Sequence, residues 1–115
     1  MLVIDGFDAK PGTTIKVKIN SIDAKKDMST VTGVLKRFEA ASETIVKSWN
    51  ASDLLNGATA TLGEAIGYDV IILPVSGPAK NPKMNVTMQS DSGFDQTVDE
   101  NVGDNVPFGW RIFMQ

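Results

Sequence analysis

Acidic residues concentrate in one segment of the sequence, Ser90 to Asn105. It contains five carboxylates, two glycines and no Lys or Arg. Hard cations such as Ca²⁺ bind several oxygen ligands gathered by a flexible backbone, so calcium is the metal that this segment could hold. Its spacing does not reproduce an EF-hand loop, and Asp and Asn are also the common residues of turns. No cofactor is therefore predicted, with calcium as the alternative, and its candidate ligands are Asp99, Glu100, Asp104 and Asn105.

Aromatic side chains could stack on a sugar or another flat ligand. Trp110 alternates with apolar neighbours at period 2, so it is predicted to be buried. Trp49 shares its predicted strand face with Ile45 but also with Lys47, which leaves it as a candidate contact. The predicted ligand is a protein, a small molecule or a carbohydrate, and the candidate ligand-binding residues are Trp49, Phe94, Asp95 and Asn101.

Two residue types that dominate enzyme sites are missing, since the chain has no His and no Cys. This removes the commonest general base, the commonest transition-metal ligand and the thiolate nucleophile. Ten glycines are spread singly and match no phosphate-binding pattern. The protein is therefore not expected to be an enzyme, and no catalytic residue is predicted.

The charge pattern excludes one class of partner. The net charge is −3, and residues 48–115 hold only three Lys/Arg against eight Asp/Glu. A nucleic-acid groove needs a basic stripe, so no nucleic-acid partner is expected. The first residues lack the cationic and long apolar regions of a signal peptide, and no run has the length of a membrane span. A cytoplasmic location is the default expectation.

Apolar residues alternate with polar ones at period 2 along most of the chain, which predicts strands with one buried face. Ile15, Val17 and Ile19 give the clearest example. One helical turn is predicted from an N-cap at Ser52 to Gly57. Residues 90–105 are predicted to form a long loop. The predicted strands are Leu2–Asp5, Thr14–Asn20, Ser29–Phe38, Thr44–Asn50, Ala58–Leu62, Tyr68–Val75, Pro82–Gln89 and Val106–Gln115.

These elements predict a single domain, 1–115, with an all-β fold. An antiparallel β-sandwich of about seven or eight strands with minimal helix fits the strand spacing best. A small β-barrel is the alternative, because strand spacing alone does not distinguish an open pair of sheets from a closed one.

Three functions are compatible with this fold. The first is a non-catalytic binding module whose loops, residues 90–105 foremost, contact a ligand. The second is a structural protein that assembles into a homo-oligomer, because Tyr68–Val75 is apolar on both faces. The third is a membrane-active or toxin-like β protein, which ranks below the others because no cationic amphipathic stretch supports it.

Overall fold

The computed structural model describes residues 1–22, 31–74, 83–101 and 106–115. In these residues two packed sheets and one short helix form the fold. No helix in them is long and apolar enough to cross a membrane. The elements are β1 (Leu2–Ala9), β2 (Thr14–Ile22), β3 (Thr32–Glu39), β4 (Ser42–Trp49), α1 (Ala51–Asn56), β5 (Ala58–Thr61), β6 (Gly67–Leu73), β7 (Lys83–Ser90), β8 (Asp95–Asn101) and β9 (Phe108–Met114).

The strand order defines two open sheets. The five-stranded sheet has the order β1-β9-β6-β3-β4, and the four-stranded sheet has the order β5-β2-β7-β8. Neighbouring strands are antiparallel except β1 and β9, which are parallel. The predicted β-sandwich is confirmed, and the barrel alternative is wrong because each sheet ends in two edge strands.

Alternating side chains fill the space between the sheets. The inward positions of both sheets are buried and apolar, and Trp110 and Phe108 are the largest fully buried side chains. The prediction that Trp110 lies in the core is therefore confirmed. Three predicted strand ends, Ser29, Val75 and Pro82, lie outside the described residues.

The predicted long loop contains a ninth strand that the sequence pattern did not indicate. Residues 95–101 form β8, which pairs with β7 from Gln89↔Asp95 to Lys83↔Asn101. Gln96 and Val98 are partly buried, whereas Asp95, Thr97 and Asp99 are exposed. The polar residues of β8 have low strand propensity, so the sequence pattern does not predict this edge strand. Pairing with β7 overrides that propensity.

Helix α1 begins at a different cap from the predicted one. Asn50, not Ser52, is the N-cap: its Oδ1 accepts the Asp53 N–H at 2.8 Å, and Asp53 Oδ2 accepts the Asn50 N–H at 3.0 Å. This reciprocal capping box satisfies two backbone donors that a helix start leaves free. Gly57 ends the helix at φ +95°, as predicted.

Candidate interaction surface

Trp49 is a core residue. It is 6% exposed and pairs with Gly33, whose missing side chain leaves room for the Trp49 ring and for Leu54 of α1. An irregularity in the β3–β4 register between Leu35 and Lys36 breaks the period-2 alternation of β4, so Trp49 and Ile45 lie on opposite faces. The structure therefore does not present Trp49 as a stacking platform.

The other candidate ligand residues are spread along β8 and the turn before it. Phe94 stacks on Phe7 with ring centroids 4.2 Å apart, so it closes the sandwich between β1 and β8. Asp95 Oδ2 accepts a hydrogen bond from Gln89 Nε2 at 3.4 Å. Phe94 and Asp95 line the same shallow depression of about 450 Å³, whereas Asn101 ends the strand, paired with Lys83.

The candidate calcium ligands are only partly described. Asp99 Oδ1 accepts a hydrogen bond from Asn85 Nδ2 at 2.8 Å, and Glu100 pairs with Met84 in the β7–β8 ladder. Asp104 and Asn105 lie outside the described residues. The part of the chain that the structure describes contains no group of three or more acidic, His or Cys residues placed to hold a metal. Calcium binding stays the alternative to the prediction of no cofactor.

The outer face of the four-stranded sheet is polar and hydrogen-bonded to itself. Asn20 Nδ2 donates to Asn85 Oδ1 and Thr87 Oγ1, both at 2.8 Å, and the hydroxyls of Thr87 and Thr97 are 2.8 Å apart. We call this surface the polar face; its residues are Thr14, Lys16, Lys18, Asn20, Thr59, Thr61, Asn85, Thr87, Gln89, Asp95, Thr97 and Asp99. Such a surface is the ordinary solvated side of an antiparallel sheet.

The outer face of the five-stranded sheet differs, because apolar side chains dominate it. Ile45 is 56% exposed and Phe113 is 50% exposed, and Ile71 is 8% exposed although it points away from the sandwich core. We call this surface the apolar face; its residues include Asp8, Val34, Lys36, Phe38, Glu43, Ile45, Ser48, Asp69, Ile71, Leu73, Arg111 and Phe113. Over Val70 to Leu73, β6 is apolar on both sides as predicted, and Asp69 precedes this stretch on the outer side.

Two depressions cross the apolar face and share Phe38 and Arg111 in their walls. The larger, about 550 Å³, extends over Ile71 towards Leu73 and Pro107. The smaller, about 230 Å³, lies beside Ile66 and Phe113 at the other end of the strands. The face is therefore uneven, with side chains that project and hollows beside them.

An ion pair occupies the centre of the apolar face. Arg111 donates from Nε to Asp69 Oδ1 at 3.0 Å and from Nη2 to Asp69 Oδ2 at 3.1 Å. The Asp69 side chain is 5% exposed and that of Arg111 is 47% exposed. The hydrogen bond to Asp69, and then its charge, raise the pKa of Arg111. These residues are 42 positions apart in sequence, and nothing in their local spacing predicted the pair.

Three glycines on the apolar face allow its neighbouring strands and side chains to approach closely. A Cβ on Gly109 would collide with the Val70 carbonyl oxygen, and a Cβ on Gly67 would lie 2.7 Å from the Ile112 carbonyl oxygen. Phe113 covers Gly6 on the edge strand β1, where an added Cβ would meet its ring at 2.9 Å. Close approach between strands β6 and β9 therefore requires glycine on this face.

The edge strands carry features that oppose pairing with another sheet. β1 and β4 have register irregularities, between Val3 and Asp5 and opposite the Leu35–Lys36 step. β5 has four residues, and β8 exposes Asp95 and Asp99. Bulges, short strands and charges are the usual protections of a sheet edge. The apolar face also carries charges, but Lys36 is paired with Glu43 and Arg111 with Asp69.

Comparison with protein-family models, with curated proteins and with solved structures finds no significant match.

Proposed function

We propose that this protein is a non-catalytic interaction module that binds another protein through its apolar face. One observation carries the proposal: the two sheets of the same sandwich have outer faces of opposite character. The polar face is built of Thr, Asn, Gln, Asp and Lys, whereas Ile45, Ile71 and Phe113 lie on the apolar face.

The exposed apolar side chains are grouped instead of scattered. Single exposed apolar residues are normal on any protein, but a contiguous group with a polar surround is typical of a protein interface. Ile45, Phe38, Ile66 and Phe113 border the same two adjoining depressions. Covering them removes apolar area from water, which stabilises a complex by roughly 25 cal/mol for each Å² buried.

The charges on the apolar face support a protein partner over a lipid surface. Lys36 Nζ lies 3.5 Å from Glu43 Oε1, and Arg111 is paired with Asp69. A helix or sheet that binds an anionic membrane surrounds its apolar area with free cationic side chains.

A second candidate function uses the turn between β7 and β8, as the loop hypothesis predicts. The depression beside Phe94 is lined by hydroxyl, amide and carboxylate groups from Thr14, Thr59, Gln89 and Asp95. One aromatic edge with several polar groups suits a small polar ligand such as a carbohydrate. The turn itself is held by internal contacts, since Asp91 Oδ1 accepts the Thr14 N–H at 3.0 Å and Ser90 Oγ accepts the Phe94 N–H at 3.2 Å.

Site-directed photo-crosslinking in the cells that produce the protein tests the main proposal. A benzophenone side chain replaces Ile45 on the apolar face or, as the matched control, exposed Thr97 on the polar face. We expect a discrete adduct from position 45 and none from position 97. Equal labelling from both positions, or labelling from position 97 alone, contradicts the proposal. An adduct obtained only when the benzophenone replaces exposed Ser92, in the turn between β7 and β8, would favour the second candidate.

A further inference from the structure

We infer that the protein bound at the apolar face is a second copy of this chain, packed face to face about a two-fold axis that lies in the interface. The inference depends on the proposed function, because it names the occupant of the same surface. Three properties of the apolar face support this inference: its area, its charge and its relief. The structure of the sheet edges supports it as well.

The apolar face is large enough to form a weak dimer interface. Five strands spaced about 4.8 Å apart and about seven residues long at roughly 3.3 Å per residue cover about 550 Å². Interfaces of standard size bury about 800 Å² on each partner, and weaker specific ones bury less. Stacking two such faces therefore produces an interface below standard size, which predicts a weak dimer whose population depends on protein concentration.

The charge of the apolar face is self-compatible. Its two cationic groups, Lys36 and Arg111, are each paired with a carboxylate of the same face. A strongly acidic or basic partner would find little opposite charge there, whereas an identical copy adds only Asp8, at the β1 edge, to these paired charges. Because Asp69 is already satisfied by two hydrogen bonds from Arg111, covering the centre of the face leaves no unpaired carboxylate there.

The relief of the apolar face is complementary to itself under a two-fold rotation. The half-exposed Phe113 ring lies over Gly6 at one end of β9, and the larger depression reaches Leu73 and Pro107 at the other end of the same strands. A two-fold axis that crosses the strands between Arg111 and Gly109 exchanges these ends. Phe113 of each copy then lies over the Leu73–Pro107 end of the depression in the other, as an isologous interface requires.

The sheet edges favour this geometry over an edge-to-edge dimer. β4 is the most exposed edge of the five-stranded sheet, but the register irregularity beside Val46 interrupts its ladder, and Lys47 donates to the Thr59 carbonyl at 3.1 Å across the end of the sandwich. An added strand along β4 would meet this interrupted ladder. Face-to-face packing does not use the β4 edge.

Sedimentation equilibrium over a wide concentration range, with calcium and with chelator, tests the inference. We expect the mass of the wild type to rise with concentration from 12.4 kDa towards twice that value, with or without calcium. Ile45→Lys and Phe113→Lys place a charge in the interface and should weaken association at least about tenfold. Thr97→Lys, the matched charge on the polar face, should associate like the wild type.

Folding controls separate a lost interface from a lost fold. Ile45 and Phe113 are about half exposed in one copy, so their Lys variants should keep the wild-type circular dichroism spectrum and melting temperature at low concentration. A monomeric wild type at the highest concentration overturns the inference. A dimer that both Lys variants leave intact also overturns it, because association then uses another surface.

Spin labels give a second, independent measurement. The chain has no cysteine, so Ile45→Cys or Thr97→Cys introduces a single labelling site. In the inferred dimer, labels at position 45 are close to each other across the interface. Labels at position 97 are on the far sides of two copies, each 22 Å across its shortest dimension. A long distance at position 45 with a short one at position 97 contradicts the arrangement.

The two proposals fail in different ways. A monomeric protein that still forms an adduct of another mass from position 45 refutes the second copy and keeps the interaction module. A monomeric protein without any adduct from position 45 refutes both.

Discussion

Removing Arg111 should destabilise the fold more than its exposure suggests, because it leaves Asp69 charged and nearly buried. In Arg111→Met, both hydrogen bonds to Asp69 are lost. Truncating one partner of a buried pair costs about 3–5 kcal/mol, and an unsatisfied charged group costs about 1–3 kcal/mol or more. Since the Arg111 side chain is 47% exposed, water can approach the carboxylate, and we expect a loss of about 2–3 kcal/mol in the free energy of unfolding.

The double variant Asp69→Leu/Arg111→Met separates the ion pair from simple loss of contacts. Replacing both partners with apolar side chains removes the unpaired charge, so its stability should lie within about 1 kcal/mol of the wild type. In 115 residues, 1 kcal/mol corresponds to about 4 °C in Tm, so Arg111→Met should melt about 10 °C lower than the wild type.

Urea unfolding at low protein concentration is the assay. It can be followed by the fluorescence of Trp49 and Trp110, which are both buried. An Arg111→Met variant as stable as the wild type would contradict this expectation, and so would a double variant that loses the sum of the losses of the single variants Arg111→Met and Asp69→Leu.

Further predictions concern pH, backbone packing, the helix cap and the sandwich edge. A raised Arg111 pKa means that its stabilising charge is present below the unfolded-state pKa and is lost only as the pH rises through the still higher folded-state value; the stability difference between wild type and Arg111→Met should therefore stay constant between about pH 7 and pH 9. Gly109→Ala forces a Cβ onto the Val70 carbonyl and should cost several kcal/mol or prevent folding, whereas Gly63→Ala, whose Cβ would be 3.7 Å from the Tyr68 hydroxyl, should fold normally by circular dichroism. Asn50→Ala removes the capping box and should cost about 1 kcal/mol in urea unfolding, with Ser52→Ala as a control that costs little. Phe94→Ala should lower stability by about 2–4 kcal/mol through loss of its stacking on Phe7, and an unchanged Tm would contradict the structural role of Phe94.

The sequence predicted which segments form most of the strands and which of their faces are buried. Alternation at period 2 is a local property: Ile15, Val17 and Ile19 must share a face in any extended chain, and Trp110 shares one with Phe108 and Ile112. Local chemistry also predicted the end of α1 at Gly57. The N-cap was misplaced because Ser52 and Asn50 both have side chains that can cap a helix, and only the chain entering from β4 selects Asn50.

Tertiary structure decided the features on which the function depends. Alternation shows which residues of a strand share a face, but not which strand lies beside it. Contacts between distant segments decide the strand order, the pairing that makes residues 95–101 a strand, and the contact of Asp69 with Arg111. One register irregularity beside Val46 moved Trp49 into the core and Ile45 onto the outer face, because an extra residue reverses which side each later residue faces. The sequence by itself determined that β6 would be apolar on both faces; only the assembled sheet decided that Ile45 and Phe113 extend its outer side into one surface.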